Sequence, residues 1–486
     1  MADDRIPEDD LLIAEPAPET LAAEVRPDDR VDDARLDSEN RLKADFVGAV
    51  RDALDEGDKG AVYDLVEPLH AADIADLIEL LGRSERAALA AAITDLMTSD
   101  VIAELNDYVR EDLMEALPAQ AVATIAEQLD TDDAVQLIED LDEADQAAVM
   151  AELEPETRAA VSSALAYPEE TAGRLMSRNF VAVPEHMSVG DLIDFLREEG
   201  DIEHDFFEVF VIDEGHHPVG TCALNWILTT PRSIRLTDVM KRDQTLIPVT
   251  MDQEEVALMF QKYALISAAV VDESGRLVGQ MTVDDIVHII SEEAGEDALL
   301  LSGAGDGDIN EPIIESYKAR VRWLLANLLT ASVASSVIAQ FEDVIATMVA
   351  LAVLMPIVAG IGGNAGTQTL AVTVRAIATN QLTDANTWRA IRREMAIAAL
   401  NGGTVALVIG AIVAALFANP LLGGVIGAAM LCNIVIAGFA GVLVPLTLQR
   451  FKADPAISSS IFVTMTTDSM GFLVFLSLAV VSGLVG

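Results

Sequence analysis

Asp468 is a carboxylate in the middle of the last long apolar stretch, inside the segment 454–475, DPAISSSIFVTMTTDSMGFLVF. A charge at the centre of a membrane helix costs about 2.5–3.5 kcal/mol on insertion scales, so a residue kept there marks a functional position. Thr464, Thr466 and Thr467 precede it and Gly471 follows. Hydroxyls, freed carbonyls and a carboxylate are the oxygen donors that a hard divalent cation prefers. Asp454 lies fourteen residues earlier, about 21 Å down the axis and within roughly 40° of the same face of a regular helix. That spacing predicts one carboxylate at a pore mouth and another inside the pore. Pairing of Asp468 with a base from another helix is disfavoured, because no Lys or Arg lies deep in any apolar stretch.

A second set of polar residues sits in MPIVAGIGGNAGTQTL (355–370), with Pro356 and with glycines at 360, 362, 363 and 366. Glycine this dense permits either close helix approach or a locally unwound backbone against protein or a water-filled cavity. Asn364 and Gln368 are amides at membrane depth and need partners. Asn401, Gly402, Gly403 and Asn433 add further small or polar positions.

The elements that must hold these residues are five apolar stretches, about 321–341, 344–378, 394–417, 421–448 and 456–484. Each is long enough to span a bilayer, and the second is overlong, so a break or tilt is expected there. Lys318, Arg320 and Arg322 precede the first. Arg375, Arg389, Arg392 and Arg393 flank the link from second to third, and Arg450 and Lys452 that from fourth to fifth. Every base falls on one side, which must be the cytosol, with the N-terminus inside and the C-terminus outside.

The 486 residues divide sharply by charge. Residues 313–486 carry 7 acids and 9 bases, a net of +2, and residues 1–312 carry 73 acids and 21 bases, a net of −52. Such an excess points to a salt-rich cytoplasm or abundant bound cations, and by itself does not establish metal sensing. It argues against nucleic-acid binding, which needs a basic face. Cys222 and Cys432 are the two cysteines, and they suggest neither a disulfide framework nor a zinc site. No apolar h-region opens the chain, so no secretory signal is expected.

Residues 1–44 read as a disordered acidic tail. Over 45–168 short amphipathic helices recur, as in 69–81, 98–109 and 129–141, each with an acid-bearing start. None is long enough to stand alone, so stacking into an all-α superhelix is expected, with most of the acids simply solvated. Residues 169–300 contain two α/β repeats. FEVFVIDEGHHPVG and ISAAVVDESGRLVGQMTVDDIV each read as strand, turn, strand, the second leading into a helix. His216 and His217 fall in a turn, where solvated histidines are commoner than ligands. Residues 301–320 form a linker and a connecting helix, and 321–486 the all-α five-helix membrane domain.

The α/β repeats resemble a tandem pair of CBS domains. Gly279, Thr282 and Asp285 fit the Gly-x-x-Thr-x-x-Asp pattern with which some such domains hold ribose, so ATP is a candidate ligand. The first repeat has Gly220, Ala223 and Trp226 instead. With GIGGNAGTQ and DPA…TTxxDxxG in place, the chain from about residue 45 onward resembles the MgtE family of magnesium transporters and channels. The resemblance implies a plasma- or inner-membrane homodimer whose pore is lined by spans two and five. Asp468 would hold Mg²⁺ through its water shell, with Thr464, Thr467, Asn364 and Gly360 as further pore positions and Asp454 at the cytosolic mouth. It also implies closure by cytosolic Mg²⁺ at regulatory acids, which match Asp132, Asp252, Glu254, Asp285, Glu293, Glu296 and Asp297. Gln136, Ala264 and His288 depart from that pattern, as do Ser460, Ile461 and Ala398.

Uptake of Mg²⁺ driven by the membrane potential needs no nucleotide hydrolysis, and no P-loop pattern is present. No nucleophile–base constellation marks an enzyme. Oxygen donors alone leave open export, or transport of Co²⁺ or Mn²⁺. A membrane-anchored CBS nucleotide sensor is the alternative of another class, and a buried Asp468 beside a glycine-rich span disfavours it.

Overall fold

The computed structural model describes residues 35–115, 117–198, 206–303, 307, 309–383, 385–455 and 459–485, with the side chain of Asp297 also outside this set. The tail expected over 1–44 lies outside the described residues as far as residue 34. From Arg35 the chain is ordered: Leu36 bridges Leu42, and Asp37 accepts from the Glu39 and Arg41 amides.

Two compact units divide between residues 116 and 117. The first contains α1 (Ala44–Glu56), α2 (Lys59–Val66), α3 (Ala71–Glu79), α4 (Arg83–Ala92), α5 (Ser99–Ala103) and α6 (Asp107–Glu115). Ile74, Ala75, Leu77 and Ile78 form the buried stripe of α3. The helix expected over 98–109 is split, because the Asn106 side chain accepts from the Tyr108 amide at 3.0 Å and starts α6 afresh. Glu79 Oε1 accepts from the Asn106 amide at 2.7 Å, and buried Arg110 reaches back to the Leu105 carbonyl.

The second unit opens with α7 (Ala119–Ala126), α8 (Thr131–Glu139), α9 (Glu143–Glu152) and α10 (Pro155–Ala164). Here Glu127 Oε1 accepts from the Glu154 amide at 2.8 Å, and Arg158 donates to the carbonyls of Ala151 and Leu153. The same acid-to-amide and arginine-to-carbonyl ties thus recur 48 residues further on. A cation on the last carbonyls of a helix is favoured by the helix dipole.

Two three-stranded sheets follow. The first half comprises α11 (Ala172–Leu175), β1 (Ala182–Pro184), α12 (Val189–Glu198), β2 (Glu208–Ile212), β3 (Pro218–Ala223) and α13 (Leu224–Thr229). The second comprises α14 (Leu236–Val239), β4 (Leu246–Pro248), α15 (Gln253–Tyr263), β5 (Ser267–Val271), β6 (Leu277–Thr282) and α16 (Val283–Ser302). In each sheet a parallel pair is followed by an antiparallel pair, and each antiparallel pair carries a register shift in its middle strand. Val209, Phe210, Val211 and Val270 are fully buried, each worth about 1.5–3 kcal/mol relative to exposure. The halves also share a close approach. A Cβ on Gly220 would lie 2.7 Å from Met240 Sδ, and one on Gly279 2.6 Å from Met176 Sδ.

The membrane part is α17 (Ile313–Ala339), the short α18 (Glu342–Thr347), α19 (Val349–Ala378), α20 (Thr387–Leu416), α21 (Pro420–Arg450) and α22 (Ser459–Val481). Five of these are long and apolar enough to cross a bilayer. The expected connecting helix is continuous with the first span, both lying in α17. The overlong second stretch does break, but at Met348, between α18 and α19. The glycine-rich segment is not unwound: α19 stays helical through Pro356 and on to Ala378. Its glycines serve close packing instead. A Cβ on Gly366 would meet Val463 at 2.6 Å and Thr467 at 3.3 Å, which brings α19 against α22. Leu351, Val358, Ile426, Met430, Phe475 and Leu476 make one core between α19, α21 and α22.

Candidate cation pathway and its acidic clusters

Asp468 lies halfway along α22, partly accessible, and makes no salt bridge among the described residues. Thr464 is likewise partly accessible. Thr467 is wholly buried in the single chain, with its hydroxyl donating to the Thr464 carbonyl at 3.0 Å and its methyl against Gly366. On α19, Gly360, Asn364 and Gln368 recur every four residues and so share one stripe. Asn364 and Gln368 are exposed in the single chain, and nothing lies within 4 Å of a Cβ built on Gly360. The partners expected for Asn364 and Gln368 are not seen among the described residues, and the amide held deep in the bundle is Asn433. It is 0% exposed, donates to the Val358 carbonyl at 3.0 Å, and fills the space left by Gly362 and Gly471. Its Oδ1 has no hydrogen-bond partner.

An acidic cavity of about 210 Å³ gathers Glu170, Asp252, Glu254, Glu293, Glu296 and Asp454. Asp252 caps α15, accepting from the Glu254 amide at 3.0 Å. Glu293 and Glu296 are one turn apart on α16, and the Gln253 amide bonds Glu293. Asp454 comes from the loop before α22. Burial pushes the Glu296 carboxyl up, followed by the charges of Glu293, Glu170 and Asp454. Glu170 is raised in the same way by burial, Glu293 and Asp252. The sequence motifs did not point to Glu170. It sits in a left-handed turn (φ 57°) and its carbonyl accepts from the Gln253 amide, so only the fold brings it to the acids. Asp297 follows on the same helix, its side chain outside the described residues.

From this cavity α16 runs on to the membrane helices. Its last apolar residues, Leu300 and Leu301, pack on Leu370 and Val374 of α19 and Val463 of α22.

A second cluster joins α8 to α16. Part of Asp132 is accessible, but its Oδ1 is out of solvent and without a partner. Burial, then the charge of Asp285, holds its carboxyl well above the usual range. Asp285 is raised mainly by burial, partly offset by the Thr282 hydroxyl that donates to it at 2.9 Å. Thr282 and Asp285 form the capping box of α16, and Asn179 donates to Asp130 nearby. Gly279 packs on Met176 as Gly220 does on Met240, in the half that lacks the ribose pattern, so packing accounts for it. Gln136 and His288 are exposed, and Ala264 takes φ 50° as the C-cap of α15.

Both clusters are all-oxygen sets with no base between the acids, which suits a hard cation. Among the described residues no three acids, histidines or cysteines converge closely enough to ligate one ion. Mg²⁺ dehydrates reluctantly and is commonly held by one or two carboxylates through retained waters.

The chain thus combines an acidic helical array, two three-stranded α/β sheets and five apolar helices long enough to cross a membrane. Residues 355–478 match the MgtE divalent cation transporter family, 69–170 the MgtE intracellular N domain, and 172–222 and 236–292 the CBS domain. The chain is 32% identical over 315 residues to the magnesium transporter MgtE of Enterococcus faecalis, a match covering 65% of this chain and 70% of that one. It is 34% identical over 318 residues to the Thermus thermophilus protein of the same name, covering 64% and 70%. The structure is similar to the soluble part of a magnesium transporter, with 24% identity, a TM-score of 0.45, and coverage of 51% of this chain and 98% of that one. It is also similar to the cytosolic domain of the Mg²⁺ channel MgtE in complex with ATP, with 29% identity, a TM-score of 0.46, and coverage of 50% and 99%. The chain belongs to the MgtE family of magnesium transporters, which are multi-pass membrane proteins and not enzymes.

Proposed function

We propose that the protein is a Mg²⁺-selective channel that carries the ion inward down the membrane potential and closes when cytosolic Mg²⁺ binds its acidic clusters. The observation that carries this is the course of α16. It bears Asp285, Glu293 and Glu296 in the two clusters and ends against α19 and α22, the second of which holds Asp468. Crowded acids repel until a cation lies between them, so Mg²⁺ favours the arrangement in which they are close. That arrangement presses Leu300 and Leu301 on the pore helices and keeps the path shut. The driving force is about 2.3 kcal/mol per charge per 100 mV, twice that for a divalent ion. The bases flanking the spans support a cytosolic N-terminus and an outside C-terminus, in a plasma or inner membrane. The uncovered stripe of Gly360, Asn364 and Gln368 supports a homodimer in which a second copy completes the pore. To hold the ribose of an ATP, Asp285 would have to release the Thr282 hydroxyl that donates to it.

The test is Mg²⁺ uptake into proteoliposomes holding an inside-negative potential. Uptake that stops when Mg²⁺ is added on the face of the acidic domains is expected. Flux of Co²⁺ or Mn²⁺ in preference to Mg²⁺, or none at all from folded protein, would overturn it.

A further inference from the structure

A second cavity, of about 230 Å³, opens between α19 and α20 beside Ile434 of α21, its exposed wall mostly apolar with a few polar side chains. Its polar lining is Gln368 and Thr369 from α19 with Arg393, Glu394 and Asn401 from α20. Glu394 is an acid in a membrane helix and only 8% exposed. Its Oε1 accepts from Arg393 Nη1 at 2.6 Å. The two side chains differ in setting: Arg393 is 67% exposed and Glu394 10%. The carboxylate is therefore fixed in the cavity, while its counter-ion is a long arm that starts from solvent.

Three features suit this space to a hydrated ion. A buried charge must be paired, and a mobile cation can take the place of a tethered one. Liquid water occupies about 30 Å³ per molecule, so the cavity has room for roughly seven waters, enough for a divalent ion with its octahedral shell. Gln368 is also the last member of the α19 stripe that contains Gly360 and Asn364, so the cavity lies at the end of that stripe.

We propose that this cavity is a second station for a hydrated divalent cation, at the start of the third span. Glu394 supplies the charge, the Gln368 and Asn401 amides accept from the ion's waters, and Arg393 is a built-in counter-ion that the arriving cation displaces. The proposal rests on the protein being a divalent-cation pathway through Asp468. With the station empty, Arg393 neutralises Glu394. With it filled, Arg393 moves to solvent, and its return helps expel the ion.

The test compares the sign of two charge removals by measuring Mg²⁺ flux against Mg²⁺ concentration in the full-length protein. Glu394→Gln is expected to raise the half-saturating concentration several-fold, and Arg393→Gln to lower it. Arg392→Gln removes the same charge one residue away from an exposed position outside the cavity, and is expected to leave it unchanged. A pair that serves only as a structural tie would give the same direction of change in Glu394→Gln and Arg393→Gln, and that result overturns the proposal. So does an effect of Arg392→Gln equal to that of Arg393→Gln, which would mean general surface charge. If Glu394→Gln fails to fold, Arg393→Gln against Arg393→Lys still decides, since only loss of charge should tighten saturation. Asp468→Asn runs beside them. Wild-type flux lost in Asp468→Asn with no opposite shifts in the others sinks the station alone, whereas an inactive wild type removes the parent function as well.

Discussion

In α22 Asp468 is the single acid, surrounded by threonines and glycine, whereas Glu170, Asp252, Glu254, Glu293, Glu296 and Asp454 share one cavity outside the membrane. A conducting site must hold its ion well enough to admit it and weakly enough to release it. One carboxylate acting through waters meets that condition. Six acids close together do the reverse, since they repel one another until a cation enters and then retain it. Under the proposed function, the isolated acid would serve passage and the crowd sensing.

The largest effect expected is on Asp468. Asp468→Ala should abolish Mg²⁺ flux while the protein stays folded and inserted, as judged by gel filtration beside uptake, and normal flux would break the contrast at its conducting end. Next is the joint change Glu293→Gln and Glu296→Gln. Flux should persist, but the Mg²⁺ concentration needed to stop it should rise several-fold. An unchanged threshold would deny the cavity its sensing role.

Acidification provides a third, smaller test. The carboxyls of Asp132, Asp285, Glu170 and Glu296 are raised by burial and neighbouring acids. A carboxyl with a raised folded pKa binds more protons folded than unfolded, so stability falls as pH climbs through the window between the two values. Without Mg²⁺ the thermal midpoint should rise as pH drops from neutral toward the ordinary carboxylate range, and added Mg²⁺ should contribute less there. Asp191, Asp213 and Asp272 have lowered values and withdraw their support only below that range. A midpoint that sinks throughout the upper window would count against crowding. The smallest effect separates two glycines of α19. Gly360→Ala meets nothing and should stabilise the helix by up to about 1 kcal/mol while altering flux. Gly362→Ala would place a Cβ 2.1 Å from the Asn433 amide and should destabilise, as thermal unfolding would report.

Much of this was legible in the chain because each part rests on a local signal. Five apolar stretches, basic flanks and two strand–turn–strand repeats are read within tens of residues. Asp252, Glu254, Glu293 and Glu296 are marked as site residues by the family resemblance rather than by spacing, and one cavity holds them with Asp454. What escaped depends on tertiary contact. Glu170 belongs to no motif and reaches the acids through a turn. Glu394, following two arginines, resembles a flanking charge until its burial is seen. That Thr467 is wholly buried, with its methyl against Gly366, is likewise set by packing rather than by sequence spacing. Gly279 fits a nucleotide pattern, but its partner is a methionine that no spacing rule predicts.

The unbroken α17 has a mechanical meaning. Its 27 residues make a rod about 40 Å long, with no proline or glycine inside it to act as a hinge. It packs along α22, the helix of Asp468. A tilt of α17 at Ile313 would be felt along α22 as well, since the rod has no hinge to absorb it. If the proposed gating holds, the first span would act less as a membrane anchor than as a lever arm laid along the helix of Asp468.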